Sequence, residues 1–372
     1  MAKNLSDSFL KCKELADFVY SPEEKKDDYI STNVISLNLL FSGRPFGGIQ
    51  KGAISMMSAG SSQGKSFVGL SILKEAQKRG MECYVFDAEK SFDYNWAKGL
   101  GINVDPKVLP VIGTSEISKI KQAISMIEDG KNTAERANVF VLLDSWGTLV
   151  SQVMIDKAAD GSTTRDMTLG FWKNELANIM KESGFTYFVI NHVYDSIGGF
   201  GDPLQIPGGR RLYFNSENVV LTLSKAKDKT TSGEITGAIM TAMTHKGRKA
   251  LEKSKLKYRI KHEGGLDFFY GLLDDALEFG VVVKPKNGAY ARPCVPNDVN
   301  WKENEIYCPE FWVPIFKNTD FENKLIEKYT YSADINIGST SLDDLMSSDY
   351  SGAKPKKTVK KDKIDEMLDE DE

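Results

Sequence analysis

The chain has few of the residues that staple or anchor a polypeptide. Of 372 residues only four are cysteine and three histidine. Cys12, Cys83, Cys294 and Cys308 stand far apart, with no C-x-x-C pair and no clustered histidine. That pattern excludes a disulfide framework and a zinc site, and it predicts a reducing, cytoplasmic setting. No apolar run approaches the ~20 residues needed to span a bilayer, and no apolar core precedes a cleavage site near the N-terminus. A soluble protein is expected. Charge of one sign is lacking too: 48 basic residues against 52 acidic leave a net charge of −4. Whole-chain attraction to nucleic acid is thereby excluded, and any such binding must come from local patches. No internal repeat is seen. What is present is 41% hydrophobic residues, enough for one large core with smaller appendages.

Residues 1–30 are charged and carry Leu5, Phe9, Leu10, Leu15 and Phe18 at roughly helical spacing until Ser21-Pro22, which predicts an appended helix. From 31 to 270 apolar runs alternate with amphipathic stretches, the mark of an α/β domain with a mostly parallel central sheet. Val219–Leu223, Ala238–Met243 and Leu256–Ile260 follow one another with short turns, so antiparallel strands are expected at one edge. A Pro- and Gly-punctuated aromatic segment predicts a small C-terminal domain over 271–335. The tail, 336–372, has six lysines between Lys354 and Lys363, then six acidic residues between Asp365 and Glu372. With so little to bury, it is expected to be disordered.

The most informative stretch is Ala59-Gly60-Ser61-Ser62-Gln63-Gly64-Lys65-Ser66. It lies between the strand-like run Ala53–Ser58 and a segment whose apolar face is Phe67, Leu70, Ile72 and Leu73. Backbone N–H groups of a small-residue loop, and the N-terminus of the helix after it, cradle a polyphosphate. Ala59 replaces the usual opening glycine and remains small. In such a loop Lys65 reaches the β- and γ-phosphates and Ser66 sits on Mg²⁺, so ATP-type binding is predicted. Val139–Asp144 is an apolar run ending in a carboxylate, as a buried parallel strand delivers an acid to the ligand edge; Asp144 is expected to hold Mg²⁺ through water. The strand Cys83–Phe86 ends in Asp87-Ala88-Glu89, where either acid is a candidate base for the water that attacks the γ-phosphate. Spacing alone does not choose between them.

Leu37-Asn38-Leu39-Leu40, Gly47-Gly48-Ile49, the phosphate loop, Phe86–Glu89 and Leu142–Ser145 together resemble, in order and spacing, the RecA-type recombinases. Gly271–Asp274 and Val281–Arg292 resemble the phage branch of that family, the UvsX-type recombinases. The resemblance covers about residues 31–330 and implies a RecA-type P-loop NTPase core. It also implies that Glu89 activates water, that Trp96 stacks on adenine and that His192 senses the γ-phosphate, at a position more often held by Gln. Lys246 and Arg248, within a basic run that reads as merely solvated, match the residues that reach the ATP of a neighbouring subunit. Two polar stretches, about 156–166 with Lys157 and Arg165, and about 195–211 with Phe200, Gly208, Gly209, Arg210 and Arg211, have the composition of a mobile lid or of a DNA surface. The resemblance selects DNA. It implies a DNA-dependent ATPase that binds single-stranded and homologous double-stranded DNA and assembles with itself into a filament. A single-strand binding protein and a recombination mediator are expected partners, inside an infected bacterial cell if the chain is phage-encoded. A RecA-fold helicase and a nucleotide-binding scaffold are the rival readings.

Overall fold

The computed structural model describes residues 28–161, 166–195, 204–205, 209–230 and 232–331. In chain order the strands are β1 (Tyr29–Ile30), β2 (Ile49–Gln50), β3 (Ile54–Ala59), β4 (Glu82–Asp87), β5 (Val111–Ile112), β6 (Val139–Asp144), β7 (Thr186–His192), β8 (Tyr194–Asp195), β9 (Leu204–Gln205), β10 (Asn218–Lys229), β11 (Ile235–Gly247), β12 (Lys255–Lys261), β13 (Gly265–Leu266), β14 (Val283–Lys286) and β15 (Ala289–Ala291). Nine of them form one sheet in the order β13-β12-β11-β10-β3-β7-β6-β4-β5. Every pairing from β10 to β5 is parallel, and every pairing from β10 to β13 is antiparallel. The expected α/β class, mostly parallel sheet and antiparallel edge are all present.

The central strands are apolar throughout because both faces of the sheet are covered. Successive side chains point to opposite faces, which splits each strand between two cores. Phe140 and Leu142 of β6 join Val68, Leu70, Ile72 and Leu73 of the helix Lys65–Lys78. Val139, Val141 and Leu143 join Ile117, Ile120 and Ile124 of the helix Ile117–Glu128, and Leu176, Ala177 and Met180 of the helix Leu169–Ser183. With helices on both faces, the carboxyl ends of β3, β4, β6 and β7 form the open edge where ligands bind in such sheets.

The segment after Gly271 is less separate than its composition predicts. Leu272, Ala276, Val282, Trp312, Phe321 and Leu325 are buried in the same core as the helix Lys65–Lys78 and as Met240 and Tyr258, and all described residues lie in one compact unit. At its centre the buried guanidinium of Arg292 makes two bonds to Asp298, Nε to Oδ2 at 2.9 Å and Nη2 to Oδ1 at 2.6 Å. Nη1 also donates to the carbonyls of Glu310 and Phe311. Residues 1–27 and 332–372, including most of the expected N-terminal segment and all of the expected tail, lie outside the described residues. Among the described residues no helix is long and apolar enough to cross a membrane.

Candidate nucleotide site and DNA interface

The phosphate loop joins β3 to the helix Lys65–Lys78, which starts after Gly64 in the left-handed region (φ 80°) with no side chain capping it. The first N–H groups of that helix therefore face the loop and supply the partial positive charge that attracts an anion. A Cβ on Gly64 would come within 2.5 Å of Ile260 Cδ1, the movable end of that side chain, so it is the left-handed backbone more than space that calls for glycine. Within the loop Gln63 Oε1 accepts from the N–H of Gly60 at 2.9 Å. Lys65 Nζ donates to the carbonyls of Ala59 and Gly60 at 3.0 and 2.7 Å. The loop is also held from the antiparallel edge: Lys225 Nζ donates to Ser62 O at 2.8 Å and the Tyr258 hydroxyl to Gln63 O at 3.2 Å. Sequence reasoning missed both, since nothing local marks them.

Beside the loop is a cleft of about 430 Å³ lined by Ser62–Phe67, Trp96, Lys225, Met240 and His262, among others. Trp96 belongs to the short helix Tyr94–Gly99, whose N-cap Asp93 accepts from the Trp96 N–H. Its ring is 40% exposed and meets the edge of Phe67 at 5.6 Å. An indole braced on one side and open on the other can stack on a planar base.

The acids divide cleanly. Ser66 Oγ donates to Asp144 Oδ2 at 2.7 Å, which brings together the hydroxyl and carboxylate expected to hold Mg²⁺. This oxygen donor set suits a hard cation that shares its ligands with phosphate. Burial pushes the Asp144 carboxyl above its ordinary pKa, with the Ser66 hydrogen bond opposing; a bound cation would reverse that direction. Asp87 accepts the backbone N–H groups of Ser91 and Phe92 at 3.1 and 2.8 Å. It shapes the turn and is occupied. Glu89 instead reaches the sheet edge, where Oε1 accepts from Ser145 Oγ at 2.6 Å and lies 2.9 Å from His192 Nε2. Burial raises the pKa of Glu89, but the hydrogen bonds from Ser145 and His192 outweigh it, and the carboxyl is held below its usual range. Since Glu89 is then ionised, Nε2 of His192 carries the proton between them. His192 is placed beside the phosphate loop by the pairing of β3 with β7, which sets it opposite Ala59.

The two basic residues differ. Lys246 Nζ donates to the carbonyls of Tyr213, Phe214 and Ser216 at 2.8, 2.9 and 2.8 Å, at the C-terminal end of the short helix Arg210–Asn215. Desolvation lowers its pKa. Arg248 is 54% exposed with one long contact, 3.5 Å, to Glu217.

Part of the first expected loop is helical. Gln152–Ala159 forms a helix capped by Ser151, whose Oγ accepts from Met154 N at 3.2 Å, so Lys157 stands on a helix. The Ser151 cap was the signal for it. Ser151 also hydrogen-bonds Asp166, pinning the base of the loop. In the second loop β8 and β9 pair as a short antiparallel ladder, and Arg210 and Arg211 open a helix on which both are exposed. Gly209 precedes that helix at φ 96°. Arg165, Phe200 and Gly208 lie outside the described residues.

Comparison with known proteins agrees with this geometry. Residues 19–267 match the RecA N-terminal domain, and residues 269–325 match the C-terminal domain of the bacteriophage T4 recombination and repair protein. The recombination and repair protein of Enterobacteria phage T4 is 28% identical over 335 residues, 86% of this chain and 84% of that one. RecA of Aquifex pyrophilus is 29% identical over 260 residues, 68% of this chain and 71% of that one. The chain belongs to the RecA family, and its C-terminal part is of the phage type.

Proposed function

We propose that the chain is a DNA-dependent ATPase of the recombinase class, one that assembles on single-stranded DNA and pairs it with homologous duplex. The observation that carries this reading is the placement of Glu89. An ionised carboxylate sits between Ser145 and His192, on the sheet edge that also holds an uncapped phosphate loop and the Ser66–Asp144 pair. A triphosphate seated with its base on Trp96 would lie along the cleft, and Lys65 would exchange its two carbonyl partners for phosphate oxygens. Ser66 and Asp144 would hold Mg²⁺, which neutralises charge on the β- and γ-phosphates. Glu89 would then orient water for in-line attack, and the Nε2 proton of His192 would keep that carboxylate in place and report on the adjoining phosphate.

Sequence recognition belongs to base pairing in this reading, so the protein needs only backbone contacts and stacking. Lys157, Arg165, Phe200, Gly208, Gly209, Arg210 and Arg211 are the residues proposed for them. Arg248 is the freer candidate to reach the ATP of the next subunit, while Lys246 must first release three carbonyls. Residues 1–30 are proposed to grip that neighbour. A single-strand binding protein and a loading mediator are proposed partners, in the cytoplasm of an infected cell. The test is ATP turnover with and without single-stranded DNA, with Lys65→Ala as the blank. Strong stimulation is expected; turnover indifferent to DNA would return the chain to a nucleotide-binding scaffold, and strand unwinding to a helicase.

A further inference from the structure

Lys173, on the helix Leu169–Ser183, is only 5% exposed. Its ammonium donates to the carbonyls of Trp146 at 3.0 Å and Gly147 at 3.3 Å. No carboxylate among the described residues forms an ion pair with it, and burial alone pushes its pKa down to about 8. A lone buried cation destabilises a fold relative to an apolar side chain of similar length, so packing does not account for it.

Its acceptors do. They belong to the turn Trp146–Thr148, directly after Ser145, the residue that donates to Glu89. Thr148 Oγ1 donates back to Ser145 O at 2.8 Å, tying the turn to that residue. Gly147 packs on the other partner of Glu89: a Cβ there would lie 3.2 Å from His192 Cδ2 and 3.5 Å from Asn191 Oδ1. The turn thus adjoins both groups that hold the carboxylate.

The rest of the same helix touches both polar loops. It starts at Leu169, three residues after Asp166, where the first loop is pinned to Ser151. Asn174 Oδ1 would lie 3.1 Å from a Cβ on Gly209, at the exit of the second. Asn215 Nδ2, at the far end of the helix that follows, donates to Ala177 O at 2.9 Å and Asn178 Oδ1 at 3.2 Å.

We propose that Lys173 is a positioning residue that carries occupancy of the two loops by single-stranded DNA, through the helix Leu169–Ser183 and the turn Trp146–Thr148, to the placement of Glu89. The proposal rests on the reading of the chain as a DNA-dependent ATPase. It predicts that the coupling, and not either binding event, depends on a charged donor at position 173.

Full-length wild type, Lys173→Met and Lys173→Arg are to be compared for ATP turnover with and without oligo(dT). ATP affinity and oligo(dT) anisotropy are measured on the same samples. Lys173→Met is expected to bind both ligands like the wild type and to lose roughly tenfold in the ratio of stimulated to unstimulated turnover. Lys173→Arg is expected to restore most of that ratio. An unchanged ratio in Lys173→Met overturns the proposal. So does a parallel loss of ATP affinity, oligo(dT) affinity and stimulation that arginine does not rescue, because that pattern marks a packing role. Should Lys173→Met fail to fold, Lys173→Gln is read on the same ratio, with a fall expected and no change overturning it. A wild type that oligo(dT) does not stimulate removes the ATPase reading itself, an outcome separable from the others because it needs no variant.

Discussion

Arg292 and Lys173 are buried to nearly the same degree, 6% and 5% exposed, in opposite surroundings. Arg292 is matched by a two-bond carboxylate partner, two carbonyls, and the rings of Trp301 and Phe311 at 5.0 and 5.2 Å. Lys173 has two carbonyls and burial. One region satisfies its cation completely and gains a fixed C-terminal core; the other leaves its cation underpaired beside the sheet edge that carries Glu89. A satisfied buried charge reports structure, whereas an underpaired one beside a proposed catalytic carboxylate marks a contact worth testing for a part in the chemistry.

The contrast can be broken at four places, the first three in falling order of effect. Glu89→Gln, at the catalytic edge, should lower DNA-stimulated turnover by about 10²–10⁴ while thermal stability is unmoved; near-normal turnover would return Glu89 to the status of a loop charge. Arg292→Ala should do the reverse. It leaves Asp298 buried without its partner and should destabilise by about 3–5 kcal/mol, read by denaturant melts, with turnover per folded molecule intact in the cold. Trp96→Ala should raise the KM for ATP about tenfold, the scale of one base–aromatic stack, with less effect on kcat; an unchanged KM would leave the indole as packing against Phe67.

The last effect is a pH dependence, spread over a window rather than read at one condition. Unfolded, Lys173 titrates near 10.5, but in the fold near 8. Between those values the unfolded chain keeps a proton that the folded one has released, so this residue favours folding increasingly as pH rises through the window. Below about 8 its full penalty is present. Stability of the wild type relative to Lys173→Met should therefore climb from pH 8 to 10.5 by about 3 kcal/mol at most, and a flat difference would show that the ammonium is solvated.

What was legible in the sequence was local. The apolar run Val139–Asp144 became β6 with those bounds, and the phosphate loop could be read because its chemistry is contained in consecutive residues. The antiparallel edge was legible because short turns force neighbours together. The unread parts are contacts between distant segments. Ser145 meets Glu89 only because β4 and β6 are neighbours, with Asp87 opposite Asp144. Lys246 lies in a run that looks solvated, yet its partners are carbonyls some 30 positions earlier. Spacing left Glu89 and Asp87 level and the family resemblance favoured Glu89; the structure adds that two N–H groups already occupy Asp87. The helix Gln152–Ala159 was the exception, since its serine cap was there to be read.

The hold of Lys225 on Ser62 spans 163 residues, and Ala238, Met240, Ile260 and His262 complete that wall of the cleft. A ribosome adds roughly 5–20 residues per second, so the phosphate loop is made roughly 10–40 s before the wall that closes on it. A nascent chain that has reached β7 carries the loop, its helix and Glu89 with His192, but no finished nucleotide cleft. Completion of the cleft is therefore a late event in biosynthesis. If ATP commits the chain to assembly, as proposed, that order keeps chains still on the ribosome from assembling early.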